Sequence, residues 1–84
     1  MNLDQLREYV SQGREIEFQF DEKKYSITYG VISGKEVISF CEFYQDTTEV
    51  ECVEELIKVE RHGKTVLEML ESITEKDIWI YLNE

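Results

Sequence analysis

Residues 14–31, REIEFQFDEKKYSITYGV, determine the predicted fold because apolar and polar side chains alternate on both sides of a short polar turn. The first run places Ile16 and Phe18 on one face, and the second run repeats the pattern with Tyr25 and Ile27. Alternation with a period of two is typical of a strand with one buried and one solvated face. The polar residues DEKK between the runs match a hairpin turn. We therefore predict an antiparallel hairpin.

The flanking segments complete the predicted order of elements. NLDQLREYVSQG, at 2–13, has helical spacing, with Asn2 as its cap, Gln5 three residues on, and Gly13 as its end. EVISFCEFY, at 36–44, reads as a third strand, and its apolar residues on both faces predict a strand covered on both sides or twisted across the core. QDTTEVE, at 45–51, is predicted to be a polar loop.

The remaining sequence predicts two helices and one strand. CVEELIKVERHG at 52–63 and TVLEMLESI at 65–73 have helical spacing, and DIWIYLN at 77–83 alternates as a strand through Ile78, Ile80 and Leu82. The predicted order over residues 1–84 is α-β-β-β-α-α-β, a single α+β domain with an antiparallel sheet of three to four strands and helices packed on it. The partner of the last strand stays open, and an unpaired edge there predicts a possible homodimer.

RHGKT, at 61–65, raises the question of a phosphate-binding loop, because Gly-Lys-Thr ends such loops. That motif requires a glycine five residues before the Gly-Lys pair, and Lys58 occupies this position. Thr65 with Glu68 instead forms the pattern of a capping box. We predict that Gly63 ends one helix and that Thr65 begins the next.

The charge balance bears on the class of partner. The chain of 84 residues carries 19 acidic and 9 basic residues, for a formal net charge of −10. Such a polyanion is repelled by nucleic-acid backbones and by anionic membranes. No window contains the ~20 apolar residues that a membrane helix needs. We predict no direct nucleic-acid binding, no membrane insertion and a partner protein with a basic surface.

Cys41, Cys52 and His62 have side chains that suit nucleophilic or acid–base chemistry. Cys41 and Cys52 are too few for a disulfide framework, and the N-terminal segment lacks an apolar signal core, so we predict a cytoplasmic protein with free thiols. His62 with either thiol or with a carboxylate is the basis of an alternative, a small enzyme. The spacing of these residues does not match a zinc site, and we predict no metal and no cofactor.

Acidic and aromatic residues supply the predicted binding site. Five acidic residues occur within ten positions, and three aromatic residues have strand registers that leave either core or surface open. The predicted site residues are Asp46, Glu49, Glu51, Glu54, Glu55, Tyr44, Trp79 and Tyr81. Two other interpretations of the acidic residues stay open. They imitate a DNA backbone in a decoy for a nucleic-acid-binding protein, or they are solvated charges around the start of a helix.

Three stretches, GREIEFQFDEKKYSI, FCEFYQD and GKTVLEML, together resemble a set of small acidic proteins of Gram-positive bacteria without an assigned function. The resemblance runs from the first strand to the last predicted helix. It implies a cytoplasmic bacterial protein and assigns no catalytic or binding residue. Because no complete catalytic constellation is present, the leading hypothesis is a small non-enzymatic protein-interaction module.

Overall fold

The structure is a computed structural model that describes residues 1–81, and these residues form an α+β fold. The helices are α1 (Leu3–Ser11), α2 (Val53–Leu56) and α3 (Val66–Ser72), with a short 3₁₀ helix at Glu75–Asp77. The strands are β1 (Ile16–Phe20), β2 (Lys23–Ile32), β3 (Lys35–Glu42), β4 (Thr47–Val50), β5 (Glu60–Arg61), β6 (Lys64–Thr65) and β7 (Ile78–Ile80). The predicted position of Leu82 in the final strand lies outside the described residues.

Two helices begin with the caps that the sequence predicts. The Asn2 side chain accepts from the Gln5 amide at 2.8 Å, and the Gln5 side chain accepts from the Asn2 amide, which begins α1. Thr65 and Glu68 make the same reciprocal pair at the start of α3. Each capping box satisfies two amides that a helix start otherwise leaves unpaired.

The main sheet has the antiparallel order β4-β3-β2-β1-β7, so it contains five strands rather than the predicted three to four. The last strand pairs with the first, with Ile16 opposite Ile80 and Phe18 opposite Ile78. The ladder continues one step further, because the Tyr81 amide donates to the Glu15 carbonyl at 2.9 Å. This pairing places β1 between β2 and β7, inside the sheet, although β1 is the first strand in the sequence.

The predicted loop at 45–51 was wrong, because Thr47–Val50 is an edge strand against β3. Thr48 and Val50 turn toward the core side, opposite Phe40 and Ile38, while Glu49 faces solvent. An edge strand needs only one apolar face, so its composition resembles that of a loop. The β-branched residues Thr47, Thr48 and Val50 were the signal for a strand.

The predicted helix at 52–63 was also wrong beyond its first turn. Only Val53–Leu56 is helical, and residues 60–65 form a tight hairpin with Arg61 opposite Lys64. His62 and Gly63, with φ of 54° and 82°, occupy the turn between the two short strands. Two central residues with positive φ characterise the type I′ turn that suits the twist of a hairpin. Gly63 therefore lies between two strands and not, as predicted, between two helices. The prediction that Thr65 begins the next helix is confirmed.

The core lies on one side of the main sheet. Phe18, Tyr25 and Phe40 stack there, with ring centroids 5.2 to 6.2 Å apart. The helices supply the facing layer. Its fully buried residues are Leu6, Leu56, Val66, Met69 and Leu70. Since these residues form one cluster with the inward side chains of the strands, the helices cover this face of the sheet.

Candidate functional site

The face of the main sheet opposite the core is a candidate surface, and we call it the open face. It carries the residues that alternate with the core positions, and most are polar or small. They are Glu17, Gln19, Lys24, Ser26, Thr28, Gly30, Ile32, Lys35, Val37, Ser39, Cys41, Thr47, Glu49 and Trp79. The apolar residues on both faces of β3 predicted a strand covered on both sides or twisted across the core, but the helices cover only the core face. Val37, Cys41 and Phe43 lie half-buried on the open face.

Trp79 and Tyr81 form an aromatic row at one edge of the open face. Trp79 is 42 % exposed and Tyr81 is 45 % exposed, on the strand that pairs with β1. The Lys24 ammonium lies 5.7 Å from the centroid of the Trp79 ring, within the range of a cation–π contact. Desolvation and the neighbouring Glu17 carboxylate raise the pKa of Tyr81. The row therefore has an acidic neighbour at Glu17 and one cation at Lys24.

Tyr44 lies at the end of the open face near the β1–β2 turn. Its ring is 98 % exposed and meets the edge of Phe43 at a centroid distance of 6.2 Å. The Phe43 amide donates to the Lys24 carbonyl, so the loop that carries Tyr44 begins beside the lysine that contacts Trp79. The three predicted aromatic residues are all exposed, with Lys24 between Tyr44 and Trp79.

The five predicted acidic residues are not gathered on one surface. Glu49 lies on the open face, while Asp46 lies in the loop before β4 beside His62. Glu51 is 3.6 Å from the Lys35 ammonium, and Glu54 forms an ion pair with Arg7 of α1. The Glu55 carboxylate accepts from the Glu51 amide at 2.9 Å. Three of the five thus contact a base or the local backbone.

Electrostatics around α2 follow from these contacts. The backbone amide at Glu54 and then the Arg7 guanidinium lower the pKa of the Glu54 carboxyl. The pairing of Glu54 joins the start of α2 to α1, which is a structural role. Sequence reasoning missed Glu15 and Glu17 as neighbours of Tyr81, because their position depends on the β1–β7 pairing. Their alternation with Ile16 and Phe18 was the signal that they face away from the core.

His62 is not isolated in solvent. Its Nε2 atom lies 2.6 Å from Glu42 Oε1, and the ring is 53 % exposed beside a shallow depression lined by Gln45, Asp46 and Arg61. The Arg61 guanidinium packs over the Phe40 ring and donates to Thr48, which holds the hairpin against the sheet. This gives an imidazole–carboxylate pair on the outside of the hairpin turn.

Both cysteines are free and half-buried, and neither lines the His62 depression. The Cys41 thiol donates to the carbonyls of Glu42 and Gln45, while Cys52 lies 3.8 Å from the Glu55 carboxylate. Within residues 1–81, no group of three or more His, Cys, Asp or Glu side chains is arranged to hold a metal ion. In the same part of the chain, no helix has the length and apolar character to span a membrane.

No protein-family model, no curated protein and no solved structure matches the chain. The resemblance to small acidic proteins of Gram-positive bacteria therefore stays a prediction, and the functional argument depends on the geometry of the molecule.

Proposed function

We propose that the protein is a non-enzymatic interaction module whose open face binds a partner protein with a basic surface. The observation that carries this proposal is the aromatic row, Trp79 and Tyr81, on a sheet face that the helices leave uncovered. Exposed aromatic residues grouped on one surface are typical of binding sites, because they bury a large area at low entropic cost. Free thiols at Cys41 and Cys52 support a reducing, cytoplasmic location for this module.

The charge of the open face supports a basic partner. Glu15 and Glu17 lie along the aromatic row, and Glu49 lies at the opposite edge of the same face. Of the two lysines on this face, Lys24 contacts the row and Lys35 lies 3.6 Å from Glu51, while the whole chain carries a formal net charge of −10. Lysine and arginine of a partner would gain from this potential, mainly in the rate of association.

A test compares binding at two salt concentrations and in matched variants. The tagged full chain is used to capture partners from cell extract at about 0.1 M and about 1 M salt, between which the Debye length falls from about 10 to about 3 Å. We expect a specific partner at low salt that is lost at high salt. Trp79→Ser combined with Tyr81→Ser should abolish its capture, because anchoring aromatic residues contribute about 2 kcal/mol or more each.

The control is Leu67→Ser, which alters a half-buried apolar side chain of α3, on the helical layer and outside the open face. Capture should be unchanged in this variant, and circular dichroism of all variants should match that of the unaltered chain. A partner that is retained by the double variant and is insensitive to salt would refute the proposal.

Two alternatives receive less support. A DNA-mimic decoy needs rows of free carboxylates on one surface, whereas Glu51 and Glu54 are paired with Lys35 and Arg7 and Asp46 lies beside His62. The alternative of a small enzyme gains an imidazole–carboxylate pair at His62, but the thiols lie outside its depression. A nucleophilic mechanism requires the nucleophile and its base within hydrogen-bond reach.

A further inference from the structure

The β2–β3 hairpin extends beyond the strands that flank it. β1 pairs with β2 only as far as Ile27, and β4 pairs with β3 only from Ile38 onward. Among the described residues, the segment Thr28–Ile32 therefore has β3 on one side and no strand on the other. Alternate residues of an antiparallel strand direct their peptide groups to opposite neighbours. Half of the peptide groups in this segment consequently face a position that no strand occupies.

A groove lies beneath this extension, on the side of the sheet that faces the helices. Its volume is about 590 Å³, and the end of α1, the start of α2 and the hairpin enclose it. Its apolar lining includes Val10, Tyr29, Val31, Val37, Ile38 and Val53. Val31 is 67 % exposed, although it occupies the register of the core residues Tyr25 and Ile27. The apolar face of the sheet thus continues past the region that the helices cover.

The rim of the groove is acidic. Glu36 and Glu51 belong to its lining, and Glu15 is close enough to Tyr29 to act on its phenol. Burial and then the Glu15 carboxylate raise the pKa of Tyr29 to about 12. Lys35 offsets Glu51 at 3.6 Å, and Arg14 packs over the Tyr9 ring. A segment that enters the groove therefore meets apolar walls and an excess of negative charge.

We propose that this groove binds an extended segment of another protein, which adds as a strand beside Thr28–Ile32. Its peptide groups would pair with those of β2. Of the alternate side chains that face the groove, the central apolar ones would fill it, and lysine or arginine at the two ends of the same set would meet Glu36 and Glu51. Strand addition of this kind draws affinity from main-chain hydrogen bonds and specificity from alternate side chains. A second copy of this chain is disfavoured, because two acidic rims would face each other. The groove and the open face lie on opposite sides of the sheet.

The probe is the peptide acetyl-KTVTVTK-amide, in which two valines and the terminal lysines share one face of the strand. It is added to the isotopically labelled full chain and followed by amide chemical shifts. Saturable shifts are expected at Thr28–Ile32 and at the groove residues Val10 and Val53. N-methylation of one alternate set of peptide amides should abolish binding, and methylation of the other set should preserve it. The serine analogue acetyl-KTSTSTK-amide and the acidic analogue acetyl-ETVTVTE-amide should not bind.

Variants of exposed residues test the same contacts with little risk to folding. Val31→Thr keeps a β-branched side chain and should weaken binding because it removes apolar contact. Glu36→Gln should weaken it about 2–5-fold, the range of an exposed ion pair. The matched control Glu71→Gln removes the same charge from the exposed side of α3, outside the groove and the open face, and should leave affinity unchanged.

Thiol labelling supplies a second measurement on the unaltered chain. Cys52 lines the groove and Cys41 lies on the open face, so the peptide should slow alkylation of Cys52 alone. Shifts confined to the Trp79 row, equal loss of binding from both methylated peptides, or no saturable shift would each overturn the proposal. Concentration-dependent shifts at Thr28–Ile32 without peptide would assign the groove to a second copy and overturn it as well.

Discussion

Replacing Glu22 with glycine is expected to stabilise the protein, although most substitutions destabilise a domain of this size. Asp21 and Glu22 join β1 to β2, and their φ angles are 51° and 65°. Both values lie in the left-handed region, where a residue with a side chain costs about 1–2 kcal/mol more than glycine. The type I′ turn requires this conformation at both positions, and Asp-Gly is among its preferred sequences.

The magnitude follows from two opposing terms. Glu22→Gly removes about 1–2 kcal/mol of backbone strain and adds about 0.5–1 kcal/mol of conformational entropy to be lost on folding. With the middle of each range, the net gain in the free energy of unfolding is about 0.5–1 kcal/mol. A domain of this size changes its midpoint by about 4–8 °C per kcal/mol, so Tm should rise by roughly 2–8 °C.

Glu49→Gly is the matched control, because it makes the same chemical and charge change within the extended strand β4. It should lower the free energy of unfolding by about 1 kcal/mol, since glycine is unfavourable in a strand. Urea unfolding followed by circular dichroism and Trp79 fluorescence measures both variants. If Glu22→Gly destabilises the protein as much as Glu49→Gly does, the turn does not have the described conformation and the reasoning fails.

Three further predictions concern the core, a helix cap and alkaline stability. Phe40→Ala should lower the free energy of unfolding by about 3–5 kcal/mol in urea titrations, because it removes a fully buried ring that stacks on Phe18 and Tyr25. A loss below about 1 kcal/mol would contradict the described core. Thr65→Ala should cost about 1 kcal/mol through the lost cap of α3. The backbone amide of Thr65 and then its hydroxyl lower the pKa of Glu68, so the carboxylate stabilises the fold above its unfolded pKa and this contribution fades as pH falls. Thr65→Ala removes only the part from the hydroxyl, so the deficit of this variant should narrow slightly in acid. Burial raises the pKa of Tyr29 to about 12, so the fold favours its neutral form. The stability that this group contributes is complete below its unfolded pKa and is lost as pH rises toward 12. Melting temperatures measured over a pH series should show this decline, and the decline should be weaker in Tyr29→Phe.

The pairing of the last strand shows why the candidate surface was not predictable from the sequence. Trp79 alternates with Ile78 and Ile80 in the sequence, which predicts a strand but not its neighbour. The antiparallel contact with β1 places Trp79 opposite Glu17 and brings Lys24 to its ring. These residues are more than fifty positions apart, and no local pattern encodes such a contact. Exposure of the aromatic row is therefore a property of topology.

The segment at 52–65 shows the opposite failure, in which a local pattern was present but ambiguous. Val53, Leu56 and Ile57 have helical spacing, yet the helix ends at Leu56. The pair His62-Gly63 is compatible both with the end of a helix and with a type I′ turn, since both conformations use positive φ. Tertiary contacts decide between them, because Arg61 packs on Phe40 and donates to Thr48 only when the chain turns back as a hairpin.

The sequence by itself determined the capping boxes, the alternation of β1 and β2, and the acidic character of the whole surface. Each of these depends on neighbours a few residues apart or on a simple sum of charges. Only the tertiary structure decided that the last strand lies beside the first, that one sheet face stays uncovered, and that the β2–β3 hairpin extends past its neighbours. The physical reason is that strand pairing and helix coverage depend on which elements bury the most apolar area together, and that choice is made across the whole chain.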